Sequence, residues 1–514
     1  MISYAYSAGI WGIDGFSVTI ECHSSKRLPC FEIVGLPDNA IKESKERVRA
    51  ACVNSRFPFP DKELVINLAP ADIPKEGSAF DVAILMAILK SSKAILEDVD
   101  LENMCFLGEL SLSGAIKPIN GVLCMASAAK RAGKTTIFVP YENAKEASVI
   151  GDVTIFGVKT VNEIVDFLNG HTTLQKFVYT EDDNELSSSS LDFKDVLGQR
   201  QAKRAAEIAA AGGHNLLLIG PPGTGKSMIA KRIPTILPKM TFEESVEATK
   251  IYSVSGLLKD GESLIRERPF RSPHHTMSAV ALSGGGRIPV PGEVSLSHCG
   301  VLFLDELPEF NRQVTESLRQ PIEDGKITIT RAAGRITFPS SFMLVCAMNP
   351  CKCGYHGHPT HPCTCKESEI KRYVSKISGP LLDRIDIQIE VSSLEYSELS
   401  TKKPEESSAT IRERVNRARR IMEQRFTGYT RENGLPITCN AQMDAALIRK
   451  FCPLDSACST LMENAFNALG LSARGHDRIL RLARTIADLE GSESIKPNHI
   501  AEAIQLRTLD KKYF

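Results

Sequence analysis

Apolar and polar positions change period several times along this chain. From Phe16 to Glu21 they alternate, as in a half-buried strand, and from Lys42 to Val53 they recur at helical spacing. Leu64 to Leu68 is a short apolar run of strand length, and Phe80 to Leu89 is the pattern of an apolar helix. Strand and helix signals of this kind fill residues 1–170 and predict an α/β domain. Residues 171–190 break the pattern. Glu181, Asp182, Asp183 and Glu185 precede Ser187 to Ser190, an acidic, Ser-rich stretch with little to bury, which reads as a linker. A second α/β region, 191–395, holds three apolar strand-length runs: Asn215–Ile219, Val301–Leu304 and Phe342–Met348. The remaining residues, 396–514, are helical by pattern. No fixed-period repeat is visible.

A chain of 514 residues exceeds a single core, and three domains of roughly 100–200 residues fit it. The 62 basic and 62 acidic residues cancel; a neutral total neither favours nor excludes nucleic acid, because only local distribution matters. No apolar run reaches the ~18 residues that span a bilayer. Met1 to Ile10 lacks the basic start and apolar core of a signal peptide. The expectation is a soluble, cytoplasmic protein with no membrane partner. In that compartment the 14 cysteines are not a disulfide framework, and scattered ones such as Cys22, Cys52, Cys105 and Cys346 read as small buried hydrophobes.

The strongest chemistry follows the Asn215–Ile219 run. Gly220, Pro221, Pro222, Gly223, Thr224, Gly225, Lys226 and Ser227 match G-x-x-x-x-G-K-[ST], and Met228 to Ile233 continue as a helix. Glycines let backbone N–H groups wrap phosphates, and the helix N-terminus adds a favourable dipole. Lys226 is placed to reach the β- and γ-phosphates of ATP, and the Ser227 hydroxyl to ligate Mg²⁺. The Val301–Leu304 run ends in Asp305-Glu306, the form of a Mg²⁺-holding strand: Asp305 would hold the ion through water and Glu306 would polarise the attacking water. A third strand ends at Asn349, whose amide is suited to orient water beside the γ-phosphate. Arg384 lies in a short turn, Leu381 to Asp386. A lone arginine there reads either as a surface ion pair or as a cation presented across a subunit boundary.

Cys351, Cys353, Cys363 and Cys365 form two tight pairs around a Gly- and Pro-rich loop containing His356, His358 and His361. Four thiols so joined suit a closed, structural, tetrahedral Zn²⁺ site. The spacing is C-x-C rather than the commoner C-x₂-C, and a histidine is available to replace one thiol. Lys326 to Phe338 alternates β-formers around a Gly-containing turn, the pattern of a hairpin carrying Arg331 and Arg335.

Taken together, these residues resemble the magnesium-chelatase-like branch of AAA+ ATPases, and within it the YifB/ComM family of bacteria, over essentially the whole chain. Asp195-Val-Leu-Gly-Gln199 looks like the opening motif of such modules. By resemblance Asn349 is the first sensor and Arg384 the arginine finger of the branch that includes MCM helicases. In Ser472-Ala-Arg-Gly-His-Asp-Arg478, Arg474 is the second sensor, with Arg478 as the alternative, on a helical lid that closes over the nucleotide. The family implies a hexameric ring with ATP at subunit interfaces. The segment from Glu243 to Ser297, with Phe270-Arg-Ser-Pro-His-His-Thr276, looks like the branch's pore insertion. Its Arg287, with Lys326, Arg331 and Arg335 of the hairpin, would face DNA phosphates. His274 and His275 read as structural or hydrogen-bonding rather than catalytic.

Residues 107–143, with Leu107-Gly-Glu-Leu110, Lys117-Pro-Ile119 and Phe138-Val-Pro140, resemble the proteolytic domain of Lon, and Pro74-Lys-Glu-Gly77 resembles the stretch before Lon's serine. Ungapped alignment places Ala79 at the nucleophile and Leu123 at the base, so neither half of the Ser–Lys dyad is present. Ser78 stands one position out.

The expected architecture is therefore α/β throughout its first two domains: a proteolytically inactive Lon-like domain (1–170), a linker (171–190), a P-loop AAA+ domain with pore insertions and the cysteine cluster (191–395), and a C-terminal helical lid (396–514). The expected function is an ATP-driven hexameric DNA motor, by resemblance a helicase that migrates DNA branches when incoming strands recombine in natural transformation. A chelatase-type ATPase remodelling a protein partner and a protease-associated ATPase are the alternatives.

Overall fold

The alternation at Phe16–Glu21 lies within a longer strand, Asp14–Ser25, which returns antiparallel along Ile2–Trp11 through Gly12, whose φ of 70° makes the tight turn. The computed structural model describes residues 2–180, 191–259, 261–286, 289–331, 334–358, 360–393, 405–431, 434, 436–507 and 509. The acidic, Ser-rich linker stretch and Arg287 lie outside the described residues.

By internal contacts the chain forms two units, Met1–Glu185 with Phe242–Ile265, and Leu186–Thr241 with Arg266–Phe514. The first contains two four-stranded sheets. One runs in the order Ile2–Trp11, Asp14–Ser25, Glu63–Ala69, Cys30–Val34, with only the last pair parallel. The other runs Lys176–Phe177, Thr154–Val158, Thr136–Pro140, Met104–Phe106, parallel except at its first pair. The apolar run at Phe80–Leu89 becomes the helix Asp81–Ser91, buried on all sides from Asp81 to Leu89 because it packs against strands of both sheets. Stacked rings of Phe106, Phe138 and Phe156, at 5.0 and 5.4 Å, fill the core beneath it.

The segment Glu243–Ser297 does not behave as one insertion. Its first part, the helix Phe242–Val254 and the residues to Ile265, belongs to the first unit, whereas Arg266 onward belongs to the second. The helix packs on Val122–Arg131, and Gly121 N–H donates to the Ser253 carbonyl at 3.2 Å. The reason is local satisfaction. Glu146 is buried, and its carboxylate accepts from the Leu123 amide, the Asn143 amide and the Ser253 hydroxyl, while Leu264 covers Leu123. Burial raises the Glu146 pKa, and these three donors oppose the shift.

The second unit is built on five strands in the order Phe270–Arg271, Val301–Leu304, Met343–Met348, Leu216–Ile219, Ile387–Glu390, every neighbouring pair parallel. Leu216–Ile219, Val301–Leu304 and Met343–Met348 are buried at every position, which is why they read as unbroken apolar runs. The C-terminal helices share the core of this unit. In Ser408–Phe426 the basic run Ile411–Arg420 is one side of an amphipathic helix whose Ile411, Val415, Ala418 and Met422 are buried. Each large side chain among them contributes about 1.5–3 kcal/mol on burial. Its Arg414 pairs with Glu207 and Glu406, and Arg419 donates to the Ala210 carbonyl, so several of these arginines serve the fold. No helix among the described residues is long and apolar enough to cross a membrane.

Candidate nucleotide-binding site

The fourth strand of the sheet, Leu216–Ile219, delivers the chain to the loop Gly220–Ser227, and the helix Lys226–Ile236 leaves it. Gly223 and Gly225 adopt φ of 80° and 88°, values that a side chain resists, and a Cβ on Gly220 would lie 2.2 Å from the Val391 carbonyl oxygen. The loop thus turns its amides inward at a helix N-terminus. Gln199, itself at φ 51°, braces the loop from outside, donating to the Ser392 carbonyl at 2.7 Å and the Thr224 carbonyl at 3.3 Å.

Lys226 is buried, its ammonium donating to the carbonyls of Gly220 and Pro221, both at 2.7 Å, and to Asn349 Oδ1 at 3.2 Å. Burial pushes its pKa down to about 8, against the pull of Asp305. Such a cation gains from an anionic partner. Ser227 donates to Asp305 Oδ2 at 2.7 Å, so two hard oxygen ligands of the kind Mg²⁺ prefers converge beside the loop. The parallel register explains the meeting. Asp305 and Asn349 each follow the last residue of a strand, and parallel strands end on one edge of a sheet.

Glu306 adopts φ 53°, a left-handed conformation that is costly for a residue with a Cβ and typical of functional sites. One of its carboxylate oxygens lies 3.5 Å from His275 Nδ1. His275 stacks against His274 at 4.1 Å and meets the Phe310 ring edge-on. A structural or hydrogen-bonding part is expected of His275; its pairing with Glu306 is a contact between distant segments with no local signal.

Arg384 stands elsewhere. Its guanidinium binds Glu323 and the Pro380 carbonyl, and it lines a polar cleft of about 480 Å³ together with Glu323, Asp383, Arg474, Arg478 and Arg481. No residue of Gly220–Ser227 lines that cleft. Among the described residues the buried Nε atoms of Arg384 and Arg481 have no hydrogen-bond partner. Arg474, expected on a helical lid that closes over the nucleotide, lines this cleft together with Arg384. The helix Ala473–Glu490 buries Ile479, Leu482, Ala483 and Ile486 in the core, and Arg478 lies 3.7 Å from both Asp383 and Asp386, which sets the helix start beside the Arg384 turn. Asn215 ties that turn to the sheet. Its Nδ2 donates to the Arg384 carbonyl at 2.8 Å, its Oδ1 accepts from Leu344 N–H at 2.8 Å, and its carbonyl accepts from Ile387 at 3.0 Å. In the sequence Asn215 is merely the polar edge of an apolar run.

The hairpin pairs Lys326–Arg331 with Gly334–Pro339. Ile327, Ile329, Ile336 and Phe338 form its buried face. Lys326 and Arg335 project with the threonines on the other face, and Arg331 is exposed at the tip on the isoleucine side. Among the described residues no ion pair engages these three cations.

The four cysteine sulfurs lie within 4.8 Å of one another, with Cys351–Cys353 at 3.3 Å, Cys353–Cys363 at 3.5 Å and Cys351–Cys363 at 3.7 Å. Tetrahedral Zn²⁺ with bonds of about 2.3 Å sets its sulfurs roughly 3.8 Å apart, so the thiols fit the ion. The histidines are not in this set. His358 Nδ1 accepts from the amides of Thr360 and His361, and its Nε2 meets Ser393 Oγ at 2.9 Å.

In the first unit Ala79 and Leu123 are buried, and Ser78 donates to the Glu109 carboxylate.

A parallel sheet in which the strand that opens into the phosphate loop lies next to the central strand bearing Asn349 and one removed from the strand bearing Asp305 and Glu306 defines a P-loop ATPase of the AAA+ type. Family models agree along the chain: "Magnesium chelatase, subunit ChlI" matches residues 192–399, "Subunit ChlI of Mg-chelatase" residues 20–143, and "Magnesium chelatase, subunit ChlI C-terminal" residues 405–507. Competence protein ComM of Haemophilus influenzae is 42% identical over 99% of this chain and 98% of its own length. The uncharacterized protein YifB of Escherichia coli is likewise 42% identical over 99% of this chain and 98% of its own. Lon protease 2 of Bacillus subtilis is 32% identical over 108 residues, 21% of this chain and 19% of its own. The chain belongs to the YifB/ComM family of magnesium-chelatase-like AAA+ ATPases, and ATP with Mg²⁺ is what that family uses.

Proposed function

We propose that this protein is an ATP-driven DNA motor that works as a homo-hexamer in the cytoplasm and promotes branch migration when incoming DNA recombines during natural transformation. The observation that carries the reading is the division of the site. Lys226, Ser227, Asp305 and Asn349 meet on one edge of the sheet, while Arg384 and Arg474 line a cleft containing none of the phosphate-loop residues. A phosphate site separated in this way from its arginines is completed by a second copy, each chain offering its cleft to its neighbour's nucleotide. A relative named as a competence protein supports the DNA role, as do three hairpin cations that no ion pair engages among the described residues.

In this reading the loop amides bind the triphosphate, and Lys226 exchanges its carbonyl partners for the β- and γ-phosphates. Ser227 and Asp305 would hold Mg²⁺, which would supply positive charge beside the phosphates. Glu306 takes up the proton of the attacking water, held off by His275 until the pair opens, and Asn349 orients that water. The neighbour's Arg384 and Arg474 stabilise charge on the leaving phosphates. Lys326, Arg331 and Arg335, with Arg287 outside the described residues, contact DNA phosphates. Cys351, Cys353, Cys363 and Cys365 hold a structural Zn²⁺. The Lon-like unit, with apolar side chains at both dyad positions, does not cleave peptides.

The chelatase descriptions of the matching family models favour one rival, an ATPase that remodels a protein partner. Forked DNA with a labelled strand separates the two. A DNA motor displaces that strand in the presence of ATP, and Glu306→Gln binds ATP without displacing it. Turnover stimulated by unfolded protein and indifferent to DNA would establish the rival instead.

A further inference from the structure

The cysteine loop is packed onto the phosphate loop. A methyl group on Gly354, between Cys353 and Tyr355, would lie 2.7 Å from Pro222 Cδ and 3.2 Å from its Cγ. Backbone and proline ring are therefore already in contact. The same loop reaches the opposite wall, where His358 meets Ser393 at 2.9 Å. Residues 391–393 form that wall: the Val391 carbonyl abuts Gly220, and Gln199 joins the Ser392 carbonyl to that of Thr224. Cys351, two residues beyond Asn349, is fully buried, while Cys353, Cys363 and Cys365 are half-exposed. The described residues from 351 to 366 contain no helix or strand, so no ladder of backbone hydrogen bonds holds the loop in shape.

We propose that zinc bound by the four cysteines is a working part of the nucleotide site: by fixing the loop against Pro222 and Ser393 it preorganises the phosphate loop, and zinc occupancy sets the affinity for ATP. This rests on the nucleotide and zinc readings given above. Without the ion, only weak thiol–thiol hydrogen bonds hold the sulfurs at 3.3–3.7 Å. Thiolates there repel, and a Gly- and Pro-rich loop regains its freedom. Pro222 then loses its backing, and ordering the loop amides falls to the nucleotide, which weakens binding. Three half-exposed thiols leave the ion open to removal by chelators and thiol reagents.

The test uses the full-length protein. Zinc is quantified by elemental analysis, and the affinity for a fluorescent ATP analogue is measured in excess Mg²⁺ before zinc extraction, after it, and after zinc is restored. One zinc per chain is expected, with affinity falling about tenfold on extraction, the effect of freeing a backbone residue, and recovering on zinc addition. Gly354→Ala keeps all four thiols but drives a methyl into Pro222 at a backbone φ of 89°. It is expected to retain zinc and circular dichroism yet bind ATP about tenfold more weakly, a loss of preorganisation alone. If extraction unfolds the chain, this variant decides. Zinc bound in the wild type with ATP affinity unchanged in Gly354→Ala and after extraction overturns the coupling. Absence of zinc with normal ATP binding overturns the metal reading, and absence of ATP binding in the untreated, zinc-loaded chain overturns the nucleotide reading separately.

Discussion

Replacing Asn215 by Asp alters one atom of the bracket between the sheet and the Arg384 turn. The retained oxygen still accepts from Leu344 N–H. The atom that donated to the Arg384 carbonyl at 2.8 Å becomes a second carboxylate oxygen facing an oxygen. Losing a hydrogen bond removes about 0.5–1.5 kcal/mol, and leaving a partly buried acceptor unsatisfied adds about 1–3 kcal/mol. The new charge also stands beside Asp386, whose pKa is held low by His214 and nearby arginines despite its burial. The turn can relieve this by moving away, and it carries Arg384 with it. An arginine finger contributes on the order of 10³–10⁵ in turnover, so partial displacement is expected to lower kcat at least tenfold. Because Asn215 touches no residue of the phosphate loop, ATP affinity should be unchanged. Lowering the pH protonates the introduced carboxylate, restores a donor, and should recover part of the loss. Steady-state ATPase assays with a parallel nucleotide titration measure this split. Mixing Asn215→Asp with Lys226→Ala then tests the shared interface: the first keeps its phosphate loop, the second its arginines, and mixed rings should exceed the sum of the two alone. Wild-type kcat in Asn215→Asp would refute the positioning role. A reduced kcat without recovery on mixing would refute the shared interface.

Further outcomes follow from the same geometry. Arg384→Ala should lose hydrolysis by two or more orders of magnitude while each chain still binds ATP, which separate binding and turnover assays resolve. Lys226→Met should abolish nucleotide binding yet raise stability at neutral pH. A lysine lowered from 10.5 to about 8 by burial carries a penalty of about 1–3 kcal/mol for its charged form in the folded chain. That penalty is full below pH 8 and relieved as pH rises toward 10.5, so calorimetry should show the stability gap closing over that window. Arg47→Ala should destabilise the first unit by about 3–5 kcal/mol, because Asp81 is buried and loses its 2.8 Å partner. Burial raises the Asp81 pKa to about 6 even with Arg47 present, and losing Arg47 raises it further, so the variant's deficit should shrink as pH falls toward 6, visible in denaturant titrations.

Features whose physics is local were legible in the chain. A triphosphate loop needs glycines at left-handed positions, a lysine and a hydroxyl within eight consecutive residues, and Gly220–Ser227 supplies them in order. Strands buried on both faces must be apolar throughout, which exposed Leu216–Ile219 and Val301–Leu304. Two C-x-C pairs can converge only by closing a short loop, and their sulfurs do meet. The hairpin's alternation likewise matched its buried and exposed faces, because a pleated strand has a period of two.

Contacts between remote segments left no such trace. Which strand lies beside the phosphate loop, and hence that Asn349 touches Lys226, depends on parallel register across more than a hundred residues. The pairing of His275 with Glu306 and the bracket at Asn215 are single hydrogen-bond or charge contacts, and no periodicity encodes them. The capture of Phe242–Val254 by the first unit turned on one buried carboxylate, Glu146, that required a donor from far along the chain. The placement of Arg474 beside Arg384 was likewise decided by where a helix buried its apolar face. Short-range steric and hydrogen-bonding rules write themselves into neighbouring residues, whereas packing is a competition among all faces at once and is resolved only in three dimensions.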